Sequence, residues 1–284
     1  VWTYISSKIN YTIPPNYVNK YIRLQVETTD IRGGTTLLSS LSHKILDGIA
    51  PVLTLNGLPS VTHEAGSTYN DAGASAQDLV DGSVNVLVSG SVNSNIVGQY
   101  TLTYTATDVA GNSSSLIRVV NIVDTIAPVL TLNGSSVVTH EAGSTYNDAG
   151  ASALDLVDGS VNVLINGSVN SNLVGQYTLT YTSTDTVGNS SSLIRVVNVV
   201  DTTAPEMSLN GDVEVTLEAG SEYVELGASA VDLNENLIVS ISGSVNNLVP
   251  GQYVLTYSVT DNEGNMNSLV RLVNIVDTTA PIIT

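Results

Sequence analysis

The side chains of this chain best able to do chemistry are carboxylates, and they recur at fixed places. One stretch holds Glu64, Asp71, Asp78, Asp81, Asp108 and Asp124; the next holds Glu141, Asp148, Asp155, Asp158, Asp185 and Asp201, with no other acid in either. A third stretch has an acid at every matching place (Glu218, Glu225, Asp232, Glu235, Asp261, Asp277) and five more elsewhere, and Asp47 stands one period ahead of Asp124. Solubility alone does not require such regular placement. Carboxylates, Asn side chains and backbone carbonyls are the oxygens that Ca²⁺ gathers six to eight at a time, whereas Mg²⁺ keeps its waters and rarely takes an all-protein cage. Turn chemistry competes with this reading, because Asp before Gly or Asn bonds its own backbone and is favoured in turns without any ion.

The acids repeat because the whole chain does. Asp-x-x-Ala-Pro recurs at Asp47 to Pro51, Asp124 to Pro128, Asp201 to Pro205 and Asp277 to Pro281, a period of 76 to 77 residues. Residues 51–124 and 128–201 differ at eleven of seventy-four positions, several of them swaps between apolar residues, and 205–277 has drifted further. The expected boundaries are half a divergent domain at 1–46, repeats at 47–124, 125–201 and 202–277, and the start of another at 278–284, as in a piece of a longer protein. Trp2 is a candidate core residue of the first half-domain. Each repeat is small and buries only about 60% of its unfolded surface, so it needs support. With no cysteine in the chain, that support comes from ions or neighbours, which suits a bacterial exterior.

The net charge of −18 divides unevenly, with +2 in residues 1–47, −5 in each of the next two stretches and −10 in the last. All three Lys lie before residue 48. Such a surface repels nucleic acid and anionic lipid, and cations are the expected partners. No stretch has the pattern of a secretion signal or the ~20 apolar residues of a membrane span.

Local patterning predicts strands throughout. In Gln99 to Thr107, Tyr, Leu, Tyr and Ala alternate with Thr, the period of a half-buried strand. A Gly111-Asn112 turn then leads into Leu116 to Val123, giving an antiparallel hairpin. Val52 to Leu55, Val61 to His63, Ala72 to Ala76 and Val84 to Val88 read as further short strands. With no helical periodicity, about seven strands per module predict a two-sheet sandwich. Tyr100, Tyr177 and Tyr253, each two residues before a Leu, resemble the tyrosine corner of such sandwiches, although a role as ordinary core aromatics leads to the same fold.

The ordered strings Ala-Pro-Val-Leu-Thr-Leu-Asn-Gly, Glu-Ala-Gly-Ser-Thr-Tyr-Asn-Asp-Ala-Gly-Ala-Ser-Ala, Asp-Leu-Val-Asp-Gly, Gly-Gln-Tyr-Thr-Leu-Thr-Tyr and Thr-Asp-Val-Ala-Gly-Asn cover 48–277. They resemble the immunoglobulin-like domain of bacterial surface proteins, which also occurs in adhesins and in the tails of pesticidal crystal proteins. The resemblance implies an all-β fold, tandem immunoglobulin-like β-sandwich domains in an extended array, and an extracellular or cell-surface location. It is specific for fold and weak for function, since such domains serve as spacers and binding modules alike. Val-Asp-Thr-Thr-Ala-Pro is also loosely similar to cadherin linkers, whose arrays are stiffened by Ca²⁺.

Alternating strand direction places the Asp78/Asp81 and Asp108 to Asn112 loops at the end facing the preceding domain, and Glu64, Asp71 and the linker Asp124 at the other. One junction is then expected to gather Glu64, Asp71 and Asp124 with Asp155, Asp158 and Asp185. Glu141, Asp148 and Asp201 would meet Asp232, Glu235 and Asp261 at the next, with Asp47, Asp78, Asp81 and Asp108 at the first.

An enzyme finds little here. His43, His63 and His140 are the only His, Leu217 stands where the module would repeat one, and carboxylates recurring in every copy suit an ion site better than one glycosidase pocket. Without Lys after residue 44, Lys–Asn crosslinks are excluded from 48–284; Gln99, Gln176 and Gln252 beside Thr leave ester crosslinks open. The expected function is a Ca²⁺-stabilised stalk or fibre segment of a large surface protein, contacting its neighbouring domains. A self-assembling filament or surface-layer component, or a module binding a glycan or protein receptor, is the alternative. Against glycan binding, aromatic platforms are missing: apart from Trp2, the exposed candidates are only Tyr69, Tyr146 and Tyr223.

Overall fold

The structure is a computed structural model, and it describes residues 13–233 and 236–281. Trp2, Glu235 and the strand start at Ile282 to Thr284 lie outside the described residues. The described chain is built of strands, with one 3-10 turn at Pro15–Tyr17, and none of its helices is long and apolar enough to cross a membrane. It forms two compact units, 1–126 with 155–159, and 127–154 with 160–284.

In the first unit, β1 (Tyr21–Ile22) pairs with β4 (His43–Lys44), and β2 (Gln25–Thr29) forms a hairpin with β3 (Thr35–Ser39). The repeat that follows has two sheets. One is ordered β5-β7-β8, from Val52–Leu55, Ala74–Asp78 and Gly82–Val84. The other is ordered β6-β11-β10-β9, from Ser60–Glu64, Ser113–Val123, Gly98–Thr107 and Val86–Ser89. Period-two patterning sends Leu102, Tyr104 and Ala106 inward from β10, and Val120 and Ile122 from β11, where they are buried. Leu53, Leu55 and Ala74 of the facing sheet pack against this core. The β10–β11 hairpin is antiparallel, while β6 joins β11 in parallel.

The run Val84 to Val88, predicted as one strand, is two. Val84 pairs with Ala76 in one sheet and Val86 with Ala106 in the other, so the chain changes sheets at Asn85. Directly after β9, Gly90 has φ +97° and lies so close to the Thr101 carbonyl that a Cβ there would collide with it. Only glycine meets both conditions without strain.

The second unit repeats this plan twice. Its first sandwich joins β12 (Val129–Leu132), β14 (Ala151–Asp155) and β15 (Gly159–Val161) to a sheet ordered β13-β18-β17-β16, from Val137–Glu141, Ser190–Val200, Gly175–Thr184 and Val163–Asn166. Its second joins β19 (Glu206–Leu209) and β21 (Ala228–Val231) to a sheet ordered β20-β24-β23-β22, from Glu214–Glu218, Met266–Val276, Gly251–Thr260 and Ser240–Ser242. Leu255, Tyr257, Val273 and Ile275 form the last core. In all three repeats the tyrosine-corner hydroxyl donates to a carbonyl four residues upstream: Tyr100 to Ile96, Tyr177 to Leu173 and Tyr253 to Val249.

Candidate functional site

The carboxylates divide into three structural roles. The first is internal. Asp71 does not join the linker acids, as the strand-direction argument expected, but pairs with the buried Arg118 and accepts the Tyr104 hydroxyl at 2.7 Å. Arg118 also donates to the carbonyls of Asn56 (2.7 Å), Leu58 (3.1 Å) and Gly73 (3.2 Å). Asp148 with Arg195 and Glu225 with Arg271 repeat the arrangement. Burial works against ionised Asp71, but the Tyr104 and Arg118 donors prevail and hold its pKa below the usual carboxylate range. Burial and the bond to Asp71 push the Tyr104 pKa up to about 12. Tyr69, Tyr146 and Tyr223 are not exposed platforms. They are half-buried, and their hydroxyls donate to Asp71, Asp148 and Glu225. A single Arg per repeat among aliphatic residues was the available sequence signal for this network, and the sequence reading did not use it.

The second role is a linker latch. Glu64, at the end of β6, accepts the Thr125 amide at 2.7 Å through one oxygen and the Thr125 hydroxyl at 2.8 Å through the other. Glu141 does the same for Thr202, at 2.7 and 2.9 Å, and also takes the Thr203 hydroxyl. Glu218 binds Thr278 and Thr279 in the same way. The Thr202 and Thr278 amides lower the pKa values of Glu141 and Glu218.

The third role is clustering. In the first unit, Asp47 of the linker, Asp81 and Asp108 have carboxylate oxygens within 4.8 Å of one another; in the second, Asp201, Asp232 and Asp261 do. The loops are built to hold them there. Asp108 accepts both the backbone and the side-chain amide of Asn112 at 2.7 Å, and Asn112 donates onward to the Asp47 carbonyl at 3.3 Å. Asp81 accepts the Val109 amide at 2.8 Å, and Asp78 accepts the amides of Val80 and Asp81. Asp261, Asn265 and the Asp201 carbonyl repeat the pattern. Burial opposes ionisation of Asp108 and Asp261, and the Asn112 and Asn265 donors overcome it, so both pKa values fall. Burial, then the charges of Asp232, Glu141 and Asp261, raise that of Asp201.

Buried carboxylate oxygens are ordinarily satisfied. Here Oδ2 of Asp47, Asp78, Asp155 and Asp232 is buried and accepts no hydrogen bond. Asp78 and Asp155 are only 3% and 5% exposed. Anionic oxygens in this state fit a hard cation, and the donor set is all oxygen. Asp124, Asp155 and Asp185 occupy the corresponding sequence positions in the remaining copy. Glu235 is outside the described residues.

His63 bonds Ser67 and stacks edge-on to Tyr69. Gln99, Gln176 and Gln252 donate to Asn121, Asn198 and Asn274 rather than to Thr.

Two-sheet sandwiches with a tyrosine corner, repeated in tandem and marked by acidic loops, define an immunoglobulin-like surface array. Residues 53–122, 130–199 and 207–275 each match the family described as bacterial surface protein, Ig-like domain, and the chain belongs to it. Its location is accordingly extracellular or at the cell surface. Hyalin of Strongylocentrotus purpuratus is 32% identical over 206 residues, covering 66% of this chain and 17% of that protein. Hyalin of Lytechinus variegatus is 30% identical over 203 residues, covering 66% and 38%. The serine-rich adhesin for platelets of Staphylococcus aureus (strain MSSA476) is 27% identical over 214 residues, covering 66% and 9%. The chain therefore spans well under half the length of these relatives. Among solved structures, the protocadherin gammaB7 EC3-6 cis-dimer superposes with TM-score 0.33 at 17% identity, covering 89% of this chain and 84% of that one.

Proposed function

We propose that this chain is a non-enzymatic stalk or fibre segment of a larger adhesin-type surface protein, and that Ca²⁺ holds the linker of each repeat to its loops. The repeats at 47–124, 125–201 and 202–277 are its units, with part of another domain at 1–46. The observation that carries the ion reading is the buried Oδ2 of Asp232, which has no hydrogen-bond partner and belongs to the cluster that joins linker Asp201 to loop Asp261. Asp47, Asp81 and Asp108 would hold an ion in the same way, with Asp78 alongside. When bound, the cation neutralises carboxylates that otherwise repel one another, and it ties the linker to the loops beside it. Similarity to an adhesin supports a role in presenting a surface.

Thermal unfolding of the whole chain with chelator and with millimolar Ca²⁺ tests this, in wild type and in Asp232→Asn. An ion at a hundred times its dissociation constant adds about 2.7 kcal/mol to the folded state. Wild type is expected to melt higher with Ca²⁺. Asp232→Asn is expected to lose the part of that rise that its own site supplies and, in chelator, to melt above wild type because a like-charge contact is gone. Equal melting with and without Ca²⁺ would reduce the clusters to turn chemistry and leave an ion-independent spacer.

A further inference from the structure

We infer that β9, β16 and β22 form a self-recognition edge at which a second copy of this chain adds its own strands. In each four-stranded sheet this strand has a neighbour on one side only, so its other side presents backbone donors and acceptors to any incoming strand. Natural edges are guarded by charge or proline, and the other edges of these sandwiches follow that rule. β5, β12 and β19 begin directly after Pro51, Pro128 and Pro205; β6, β13 and β20 end in Glu64, Glu141 and Glu218; β8 follows Asp81. β9, β16 and β22 carry no charge and no proline.

The neutral zone extends well beyond the strand. Residues 82–107, 159–184 and 236–260 contain no charged side chain. The divergent third repeat has five extra acids, two of them in β20 and β19 as Glu214 and Glu206, and none within this zone. Apolar side chains are exposed there instead. Leu87 and Leu164 are each 73% exposed, and the third repeat has Ser240 at the matching place, opposite Ser258 as Leu87 is opposite Thr105. Beside Leu87 on the outer face lies Thr105, and next along the sheet Thr103 faces Ile117, which is also exposed.

Charge and repetition identify the occupant. Residues 48–284 carry a net charge of −20, so the repeats of two copies repel one another except where their surface is neutral, and like repeats meet at this edge. Each strand is short, and one pairing alone is weak. A second copy carries the same three edges at the same sequence period, so contacts that are weak singly reinforce one another through effective concentration.

Sedimentation of the whole chain over a range of concentration and salt tests the inference. Wild type is expected to self-associate, more strongly at high salt because repulsion between acidic arrays is screened. Leu87→Lys, Leu164→Lys and Ser240→Lys together should leave a monomer, and one of them alone should weaken association by roughly tenfold or more. Thr62→Lys, Thr139→Lys and Thr216→Lys on the opposite edge make the same charge change and should not weaken it. Both sets make the chain less negative, so added repulsion cannot explain a loss. Because the chain lacks cysteine, single cysteines placed along 86–89 provide a second reading that does not depend on the lysine variants folding. One of them should trap a disulfide-linked dimer, and Thr62→Cys should not. A wild type that stays monomeric at high salt, or lysine sets with equal effects, would overturn the inference.

Discussion

Arg118, Arg195 and Arg271 are each 1% exposed, and each satisfies a carboxylate, a tyrosine hydroxyl and several carbonyls at once. Replacing Arg195 by Met leaves Asp148 and the Asn133 and Ser135 carbonyls without their donor, which is expected to cost about 3–5 kcal/mol and can be read by urea unfolding. The same network sets the pH limits of stability. Asp71, Asp148 and Glu225 have lowered pKa values in the fold, so their contribution is complete above the ordinary carboxylate range and is lost as pH falls through the folded values, below about 4. Tyr104 and Tyr181 are raised to about 12. Their contribution is whole below about pH 10 and lost between there and about 12. Absorbance titration should show Tyr104, Tyr181 and Tyr257 ionising late, and Asp71→Asn should bring Tyr104 down.

At the scale of elements, the linker is shaped by the strand it passes. Glu141 grips Thr202 immediately after Asp201, so the latch aims Asp201 at Asp232 and Asp261. Thr202→Val removes one donor without touching any carboxylate. It is expected to weaken Ca²⁺ binding by several-fold with unchanged stoichiometry in calorimetry, whereas a lost site would make Thr202 or Glu141 a ligand. The glycine after each edge strand is equally restrictive. Gly167 has φ +106° and lies against the Thr178 carbonyl, so Gly167→Ala combines left-handed strain with a backbone collision. A loss of roughly 1–3 kcal/mol or more is expected, measured by denaturant unfolding of the whole chain.

Across the molecule, charge and repetition act together. The acids sit in loops, latches and the Arg networks, while one stretch of every repeat stays neutral. Ca²⁺ and salt are therefore expected to act in the same direction on association, both by lowering repulsion, and differently on melting. Sodium chloride at equal ionic strength should promote association and should not reproduce the rise in melting temperature that Ca²⁺ gives through a site. Comparing the two salts in one titration separates screening from binding.

Repeat period, strand content, the β10–β11 hairpin and the tyrosine corners were legible because they follow from local patterning: alternation along a strand, glycine and asparagine at turns, and a Tyr two residues before a core Leu. The meeting of Asp47, Asp81 and Asp108 was partly legible, since alternating strands bring those loops to one end. Three features were decided by tertiary structure alone. Asp71 lies beside Arg118, 47 residues away, because burying one guanidinium demands a carboxylate, and nothing local in the sequence names the partner. Glu64 latches Thr125, 61 residues on, because β6 runs parallel to β11 and delivers its last residue to the linker. The break at Asn85 follows from a chain that must complete one sheet and open the edge of another. Six acids look alike in sequence; a buried arginine, a linker amide and a neighbouring carboxylate make them three different things.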